Sequence, residues 1–479
     1  MYSTYSALNH GMKPEPRSAT RHNLARKRRA EGIMDNLPVE LLQQIFLATC
    51  PSIDVNDPQS FVGRLSAVCR KWRETIVNSP ELWCDFDISF GPKAEDTRWI
   101  SSTTNYLPTS LNLLVDLCLH RSRERLLCFT FKPKKCYRCI LSVMTRLLKH
   151  SNRWRDANLD SSLITTYCRS IFPLPQSFNA LEALTLTSPS TFDFSCKPPN
   201  VHKLELTRFD LVHPSQLNVP WTRITELKLD IGTARGHLLS PFCKATTNLQ
   251  RLTVVMSHSS GLPGLIKRYG VLGMNDATVV NLPFLTSLTL LTFPPEFPPE
   301  IRAPNLTDLC VDSWFVAYVA PLLERCGNVL HGLRLLGMEK EDTLRVLNMD
   351  NIRFIRRLHM DGGNETWDVL RRLRRFPGGS GDILPKLESI RLSTLTWINP
   401  EADMDALVQF IAARLAVSAT DDHVANDYRF LKWVILEDTW MPKRLVEELL
   451  EEMPQIPFSW QYGDSDCGRP GIVTITFPS

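Results

Sequence analysis

A six-residue pattern, apolar-x-x-apolar-x-apolar, returns ten times along the chain. Its copies are LEALTL from Leu181, VHKLEL from Val201, ITELKL from Ile224, LQRLTV from Leu249, LTSLTL from Leu285, LTDLCV from Leu306, LHGLRL from Leu330, IRRLHM from Ile355, LESIRL from Leu387 and LKWVIL from Leu431. The last two apolar positions alternate, so both point to one face of a strand. Stacking such strands in parallel buries them in a shared core that a single repeat lacks. The start-to-start steps are 20, 23, 25, 36, 21, 24, 25, 32 and 44 residues. The short steps fit one small strand-bearing unit per repeat, and the long ones imply insertions or a degenerate copy. Between strands, PLLERCGN (321–328) and TWDVLRRLRRF (366–376) have helical spacing and supply the opposite, convex side.

Ahead of the repeats, from Ile33 to about Asp87, the spacing changes and predicts three short amphipathic helices. Leu37, Leu41, Leu42, Ile45 and Phe46 recur at helical intervals, with Pro38 in the first-turn position and Glu40 near the positive end of the dipole. Asp57-Pro58 and Ser79-Pro80 repeat the device of a capping side chain followed by proline. The second helix aligns Leu65, Val68, Cys69, Trp72 and Ile76, and the third is Pro80-Glu-Leu-Trp-Cys. A core this small implies further burial against a partner or the rest of the chain. In the stretch between helices and repeats, SLNLLVDLCL (110–119) reads as a strand. MTRLLKHSNRWRDANL (144–159) reads as a helix leading into another possible repeat strand, covering the first edge of the repeat array.

Composition narrows the class. At 479 residues the chain is long enough for about three domains. With 43% hydrophobic and 22% charged residues it fits a folded soluble protein, neither disordered throughout nor a membrane bundle. Of the formal net charge of +4, residues 1–31 alone contribute +5, from seven basic and two acidic side chains. The near-neutral remainder argues against a nucleic-acid-binding surface. The tail is polar and predicted to be mobile, and its run Arg26-Lys27-Arg28-Arg29 fits either a nuclear-import signal or a solvated charge run. Neither a secretory h-region nor a stretch of ~20 apolar residues is present, so a cytosolic or nuclear place is expected. The 13 scattered cysteines, odd in number, read as free thiols, and the sequons at Asn305 and Asn364 as chance matches.

Catalytic chemistry leaves no trace in the sequence: there is no Gly-rich phosphate loop, no G-x-S-x-G elbow and no H-E-x-x-H metal helix. GGSG at 378–381 lacks the strand and lysine of a phosphate loop, and Cys136-Tyr-Arg-Cys139 lacks a second ligand pair, so neither cofactor nor metal is expected. Arg371, Arg372, Arg374 and Arg375, with Arg353, Arg356 and Arg357 nearby, form a cluster suited to a carboxylate or phosphate partner, or a solvated helix face.

LPVELLQQIF, then RLSAVCRKWRE, then SPELW together resemble the F-box motif in the order and spacing of three blocks. The segment Cys50–Ser60 is longer than in compact F-boxes, as in versions common in fungal proteins. The resemblance implies docking on the Skp-family adaptor, and through it on the cullin, of a cullin-RING ubiquitin ligase. It assigns adaptor contact to Leu37, Pro38, Leu41, Ile45, Phe46, Leu65, Val68, Cys69, Trp72 and Leu82, with Trp83 joining the F-box to the repeats. The repeats resemble leucine-rich repeats, except that the position eight residues after each start holds no Asn or Cys, so side chains other than an Asn ladder are expected to close the turns. The whole arrangement resembles the F-box proteins of mushroom-forming fungi.

The expected fold is therefore α/β, a three-helix F-box followed by an irregular leucine-rich-repeat solenoid. The expected segments are a basic tail (1–31), the F-box (32–88), a linker and start of the solenoid (89–170) and the solenoid proper (171–479). The expected role is a non-catalytic substrate receptor that holds an unidentified protein target near the ubiquitin-transfer machinery. The alternatives are a scaffold, adaptor-bound or independent, that recruits no target for ubiquitination, and an enzyme hidden in the repeats, for which no residues can be named.

Overall fold

The computed structural model describes residues 37–50, 52–55, 61–89, 107–132, 137–161, 178–187, 198–208, 213–231, 239–255, 279–291, 300–313, 316–326, 329–361, 366–373, 383–394, 399–415, 431–439, 458–461 and 471–476. The chain is mixed α/β and divides into two compact units, 1–130 and 131–479. The basic tail, Asp57-Pro58, Cys136, Asn364, Arg374, Arg375 and the GGSG segment lie outside the described residues.

In the first unit, helix α1 (Val39–Thr49) buries Leu42 and Phe46. The Phe46 ring meets Trp72 edge-on at 5.0 Å. The expected second helix is two helices, α2 (Phe61–Ser66) and α3 (Arg70–Asn78). The break has a local cause: Cys69 is extended at φ −154° and its Sγ accepts from Trp72 N, so the cysteine caps a new helix instead of continuing the old one. Two expected caps also differ. Pro38 stands just before α1, not inside it. Ser79 makes no side-chain cap to the 3-10 turn Pro80–Trp83; its Oγ donates to Thr75 O and accepts from Gln43 Nε2 at 2.8 Å, tying the middle of α1 to the C-terminal end of α3.

The longer segment after α1 is part of the fold. It forms β1 (Ile53–Asp54), parallel to β2 (Asp85–Ser89), and buries Cys50, Ile53 and Val55. The run read as a strand at 110–119 is helix α4 (Leu107–Arg121). Leu111, Val115, Cys118 and Leu119 are its buried positions, at spacings of four, seven and eight, and Pro108 sits in its first turn. Leucines at 113, 114 and 117, half of the outward positions from 112 to 120, conceal this period. Strand β3 (Leu127–Lys132) follows, with Phe129 stacked on Phe86 at 5.9 Å.

The second unit opens with α5 (Tyr137–Leu148) and β4 (Trp154–Asp160), the helix and strand expected there. All ten repeats then form strands, each beginning two residues after its pattern start. They are β5 (Ala183–Thr187), β6 (Lys203–Thr207), β7 (Glu226–Asp230) and β8 (Arg251–Val255), then β10 (Ser287–Leu291), β12 (Asp308–Asp312), β13 (Gly332–Leu336), β14 (Arg357–Asp361), β15 (Ser389–Ser393) and β16 (Trp433–Thr439). They lie side by side in chain order, parallel and in register: Leu184 opposes Leu204, Leu204 opposes Leu227, and so on to Ile390 against Val434. The pattern's three apolar positions are buried throughout, from Leu181, Leu184 and Leu186 to Leu431, Val434 and Leu436. Between β8 and β12 a small parallel pair, β9 (Val280–Asn281) and β11 (Ile301–Arg302), forms a separate two-stranded sheet. At the far end β18 (Gly471–Thr476) pairs antiparallel with β16 and with the last strand, β17 (Phe458–Gln461).

The connections carry the helices α6 (Leu239–Ala245), α7 (Val316–Arg325), α8 (Lys340–Leu347), α9 (Thr366–Leu373) and α10 (Pro400–Leu415). The step of 44 residues holds the longest of these helices, α10, whereas α9 in the step of 32 is no longer than the helices of the short steps. The buried Arg414 guanidinium donates to the carbonyls of Leu373, Ile383 and Leu384 at 2.7–2.9 Å, tying the end of α9 to the turn before β15. No asparagine closes the turns eight residues past the starts, but asparagines do work at the other end. Asn200, Asn248 and Asn305, each directly before a pattern start, donate to the preceding repeat's carbonyls at Asn179, Thr222 and Pro283. Tryptophans close other joints: the indole N–H of Trp154 donates to Leu147 O and that of Trp221 to Pro214 O, each seven residues upstream.

Truncating the sheet's inner and outer positions separates the two faces. Leu288→Ala is expected to cost about 2–5 kcal/mol and Thr289→Ala less than about 0.5 kcal/mol, read as urea-midpoint shifts of the full chain.

Candidate functional site

The helices of the first unit bury one face and leave the other apolar. On α1, Leu42 and Phe46 turn inward, while Leu41 at 45% exposure and Ile45 at 41%, one turn apart, face solvent with Val39 and Leu47. Val68, in the break between α2 and α3, is 59% exposed. Leaving five large aliphatic side chains 41–59% exposed within some thirty residues is unfavourable for an isolated helical unit, and Leu41 and Ile45, one turn apart on the same side of α1, make that side the candidate interaction site.

The residues expected to meet an adaptor therefore fall into three groups. Pro38, Leu41, Ile45 and Val68 are exposed, and Leu37, Leu65, Cys69 and Trp72 are half-buried. Phe46 and Leu82, at 1% and 4% exposure, are core. They reach no partner without leaving that core, and their part is to hold the surface ones in place. Val39 and Leu47 were missed by the sequence reading; the helical wheel turns Leu47 about 100° away from Phe46, whereas Val39 shares the Phe46 side and is exposed as the first residue of α1. Trp83 is buried, with its indole N–H donating to Ile76 O at 2.8 Å and the Arg121 guanidinium 4.4 Å over its ring.

Residues 34–89 match the F-box-like family model. The F-box-like domain thus comprises α1 to α3, the 3-10 turn and β2, including the inserted β1. No curated protein matches the chain.

Outside the F-box-like domain, the candidate surface is the outward face of the second unit's sheet, where polar residues alternate with the buried ones. Its charges are mostly neutralised in place. Lys228 pairs with Glu205 at 2.7 Å, Arg251 with Glu226, and Arg391 with Glu437 at 2.9 Å. Arg357 reaches Asp308 at 2.8 Å across the intervening strand, over Gly332. A Cβ at Gly332 would stand 2.2 Å from Asp308 Oδ1, so the missing side chain is what lets the pair close.

The arginine cluster seen in the sequence does not converge. Arg371 pairs with Asp368 at 2.6 Å, Arg353 with Asp350 at 2.8 Å and Arg356 with Glu388 at 3.8 Å, while Arg357 belongs to the sheet face. Lys340 joins Arg371 on Asp368, and those hydrogen bonds hold its carboxyl below the usual range. Among the described residues no group of three or more His, Cys, Asp or Glu is placed to hold a metal, and no helix is long and apolar enough to cross a membrane. None of the described cysteines forms a disulfide, and burial pushes the Cys118 and Cys243 thiols up to about 12, which makes them poor nucleophiles.

His359, half-buried between Arg334 and Arg391, is the one strongly shifted histidine among the described residues. Burial first, then the two arginines, lowers it from 6.5 to about 4. The unfolded chain thus binds a proton between pH 6.5 and 4 that the folded chain refuses. Stability from this group is complete above pH 6.5 and drains away as pH falls towards 4. His359→Asn is expected to shrink the difference between urea midpoints at pH 7 and pH 5, and an unchanged difference would remove the assignment.

Proposed function

We propose that the protein is a non-catalytic substrate receptor of a Skp-cullin-F-box ubiquitin ligase. In this reading the F-box-like domain docks on a Skp-family adaptor through Leu41, Ile45, Val68 and their neighbours. The second unit is a leucine-rich-repeat solenoid whose polar sheet face holds a target protein. The observation that carries the reading is the solvent-facing aliphatic row on α1, within the segment that matches the F-box-like family. A docked adaptor would remove that row from water at roughly 25 cal/mol per Å² of apolar area. The ten in-register strands support the repeat reading, because a parallel sheet covered on one face only is the arrangement of a strand-and-helix solenoid. Ubiquitin transfer to the target then gains from proximity alone, with no reacting group needed on this chain.

Co-purification of the full chain with a Skp adaptor tests the docking half. Leu41→Asp with Ile45→Asp is expected to abolish capture while lowering the stability of the chain by no more than about 2 kcal/mol, since both side chains are partly in water and aspartate is the poorer helix former. Capture that survives the double change, or that the unmodified chain never shows, rejects the adaptor reading. With capture established, proteasome inhibition separates receptor from scaffold: ubiquitinated partners accumulate only if this chain delivers targets.

A further inference from the structure

The connections on either side of β7 build a hollow in which the strands take no part. One wall is the 3-10 turn Pro214–Gln216 with Trp221, the first residue of the 3-10 turn Trp221–Arg223, and the other is α6. The space is ≈ 570 Å³ and open at its mouth, a size that suits a small molecule. Most of the lining is apolar, from Pro214, Pro241, Ala245 and the Trp221 indole. Trp221 is fixed before anything packs against it: its N–H donates to Pro214 O at 2.9 Å, and its ring meets the buried Phe242 edge-on at 5.4 Å. A wall held in this way loses no side-chain freedom on binding. Two polar groups stand at the same hollow. Lys244, exposed in the last turn of α6, has no hydrogen-bond or ion-pair partner among the described residues, whereas Lys228 and Lys340 each have one. His213 Nδ1 accepts the Ser215 backbone N–H at 3.2 Å and meets the Ser215 hydroxyl at 2.8 Å, so the neutral ring carries its proton on Nε2 and donates from there.

We propose that this hollow binds a small apolar monocarboxylate, with its hydrocarbon body against Trp221, Pro214 and Pro241 and its carboxylate on Lys244, His213 Nε2 serving as a second donor. The inference goes beyond the receptor reading and does not depend on it. Each half of the ligand answers a feature of the hollow. A neutral hydrocarbon covers the apolar wall but takes water from the Lys244 ammonium and returns nothing to it. A small hydrophilic anion meets Lys244 as an exposed pair, which is worth little. An acid joined to an apolar body does both, because the body excludes water and so strengthens the ion pair beside it. One ammonium balances one carboxylate, and a dianion would leave a charge over against an apolar wall. An aromatic body fits best, since an offset ring gains from the Trp221 indole more than its buried area alone supplies.

The test titrates the full chain with 3-phenylpropanoate by calorimetry, with 3-phenylpropanamide and propanoate as controls that lack the charge or the ring. The acid is expected to bind with a Kd of about 1 mM or tighter, and each control about tenfold or more weaker. Lys244→Met should weaken the acid by about tenfold, the loss of one charge-assisted contact. Ala245→Phe, which fills the hollow from its rim, should abolish binding. No binding of the acid by the unmodified chain, equal binding of the amide, or binding of the acid that survives either substitution unchanged overturns the site. Urea midpoints of both variants are read alongside. A variant that loses stability is set aside, and the comparison of acid, amide and propanoate on the unmodified chain then decides.

Discussion

The second unit depends on one repeated main-chain joint. The carbonyl of the residue that follows each pattern start accepts two N–H groups from the next repeat. His202 O takes Thr225 and Glu226, Thr286 O takes Thr307 and Asp308, and Arg356 O takes Glu388 and Ser389. This shared acceptor fixes where each strand begins relative to the last. A slip of one residue would carry the leucines to the solvent face and the charged residues into the core, so joint and burial pattern enforce the same register. Because the register never drifts, buried side chains run as continuous columns, and so do the polar ones opposite them.

That regularity is why the strands were legible in the sequence and much else was not. The ten repeats announced themselves because burial on one face leaves a period of two. Trp154, Ala157 and Leu159 have the same spacing, but a tryptophan at the start and an alanine in the middle weakened the match. Helix α4 was misread because leucines at Leu113 and Leu114 fill outward positions and hide the period of its buried ones. The split between α2 and α3 rests on the extended backbone and thiol of Cys69, which no hydrophobic pattern encodes. The asparagines before the pattern starts were present in the text, but their role required knowing which carbonyl of the neighbouring repeat lies within reach. Of the candidate site, helical spacing identified α1 as an amphipathic helix. It did not separate Leu41 and Ile45, which face water, from Phe46, which holds them there.

The two units present different kinds of surface. The F-box-like domain exposes aliphatic groups among charged ones such as Glu40, Arg64, Arg70 and Arg73, so dehydration of the aliphatic groups is only part of what a partner would meet there. The sheet face offers charges already matched in pairs, so most of it is neutral at close range and favours no partner strongly. Specificity on such a face falls to the few positions that break the pairing.

The ion pair over Gly332 has a further consequence, for how the array can change in length. Arrays of equivalent units grow and shrink by whole units, and the shared-carbonyl joint would accept an extra one almost anywhere. Asp308 and Arg357, however, are two rungs apart, about 10 Å along the sheet. A unit inserted between them would stretch that to about 14 Å, beyond the combined reach of the two side chains. A unit lost would make them immediate neighbours and keep them in contact. Because both side chains are exposed, losing the pair would cost only about 0.2–1 kcal/mol, so it tilts the array mildly towards shortening over lengthening at this point, with the glycine beneath it marking the place.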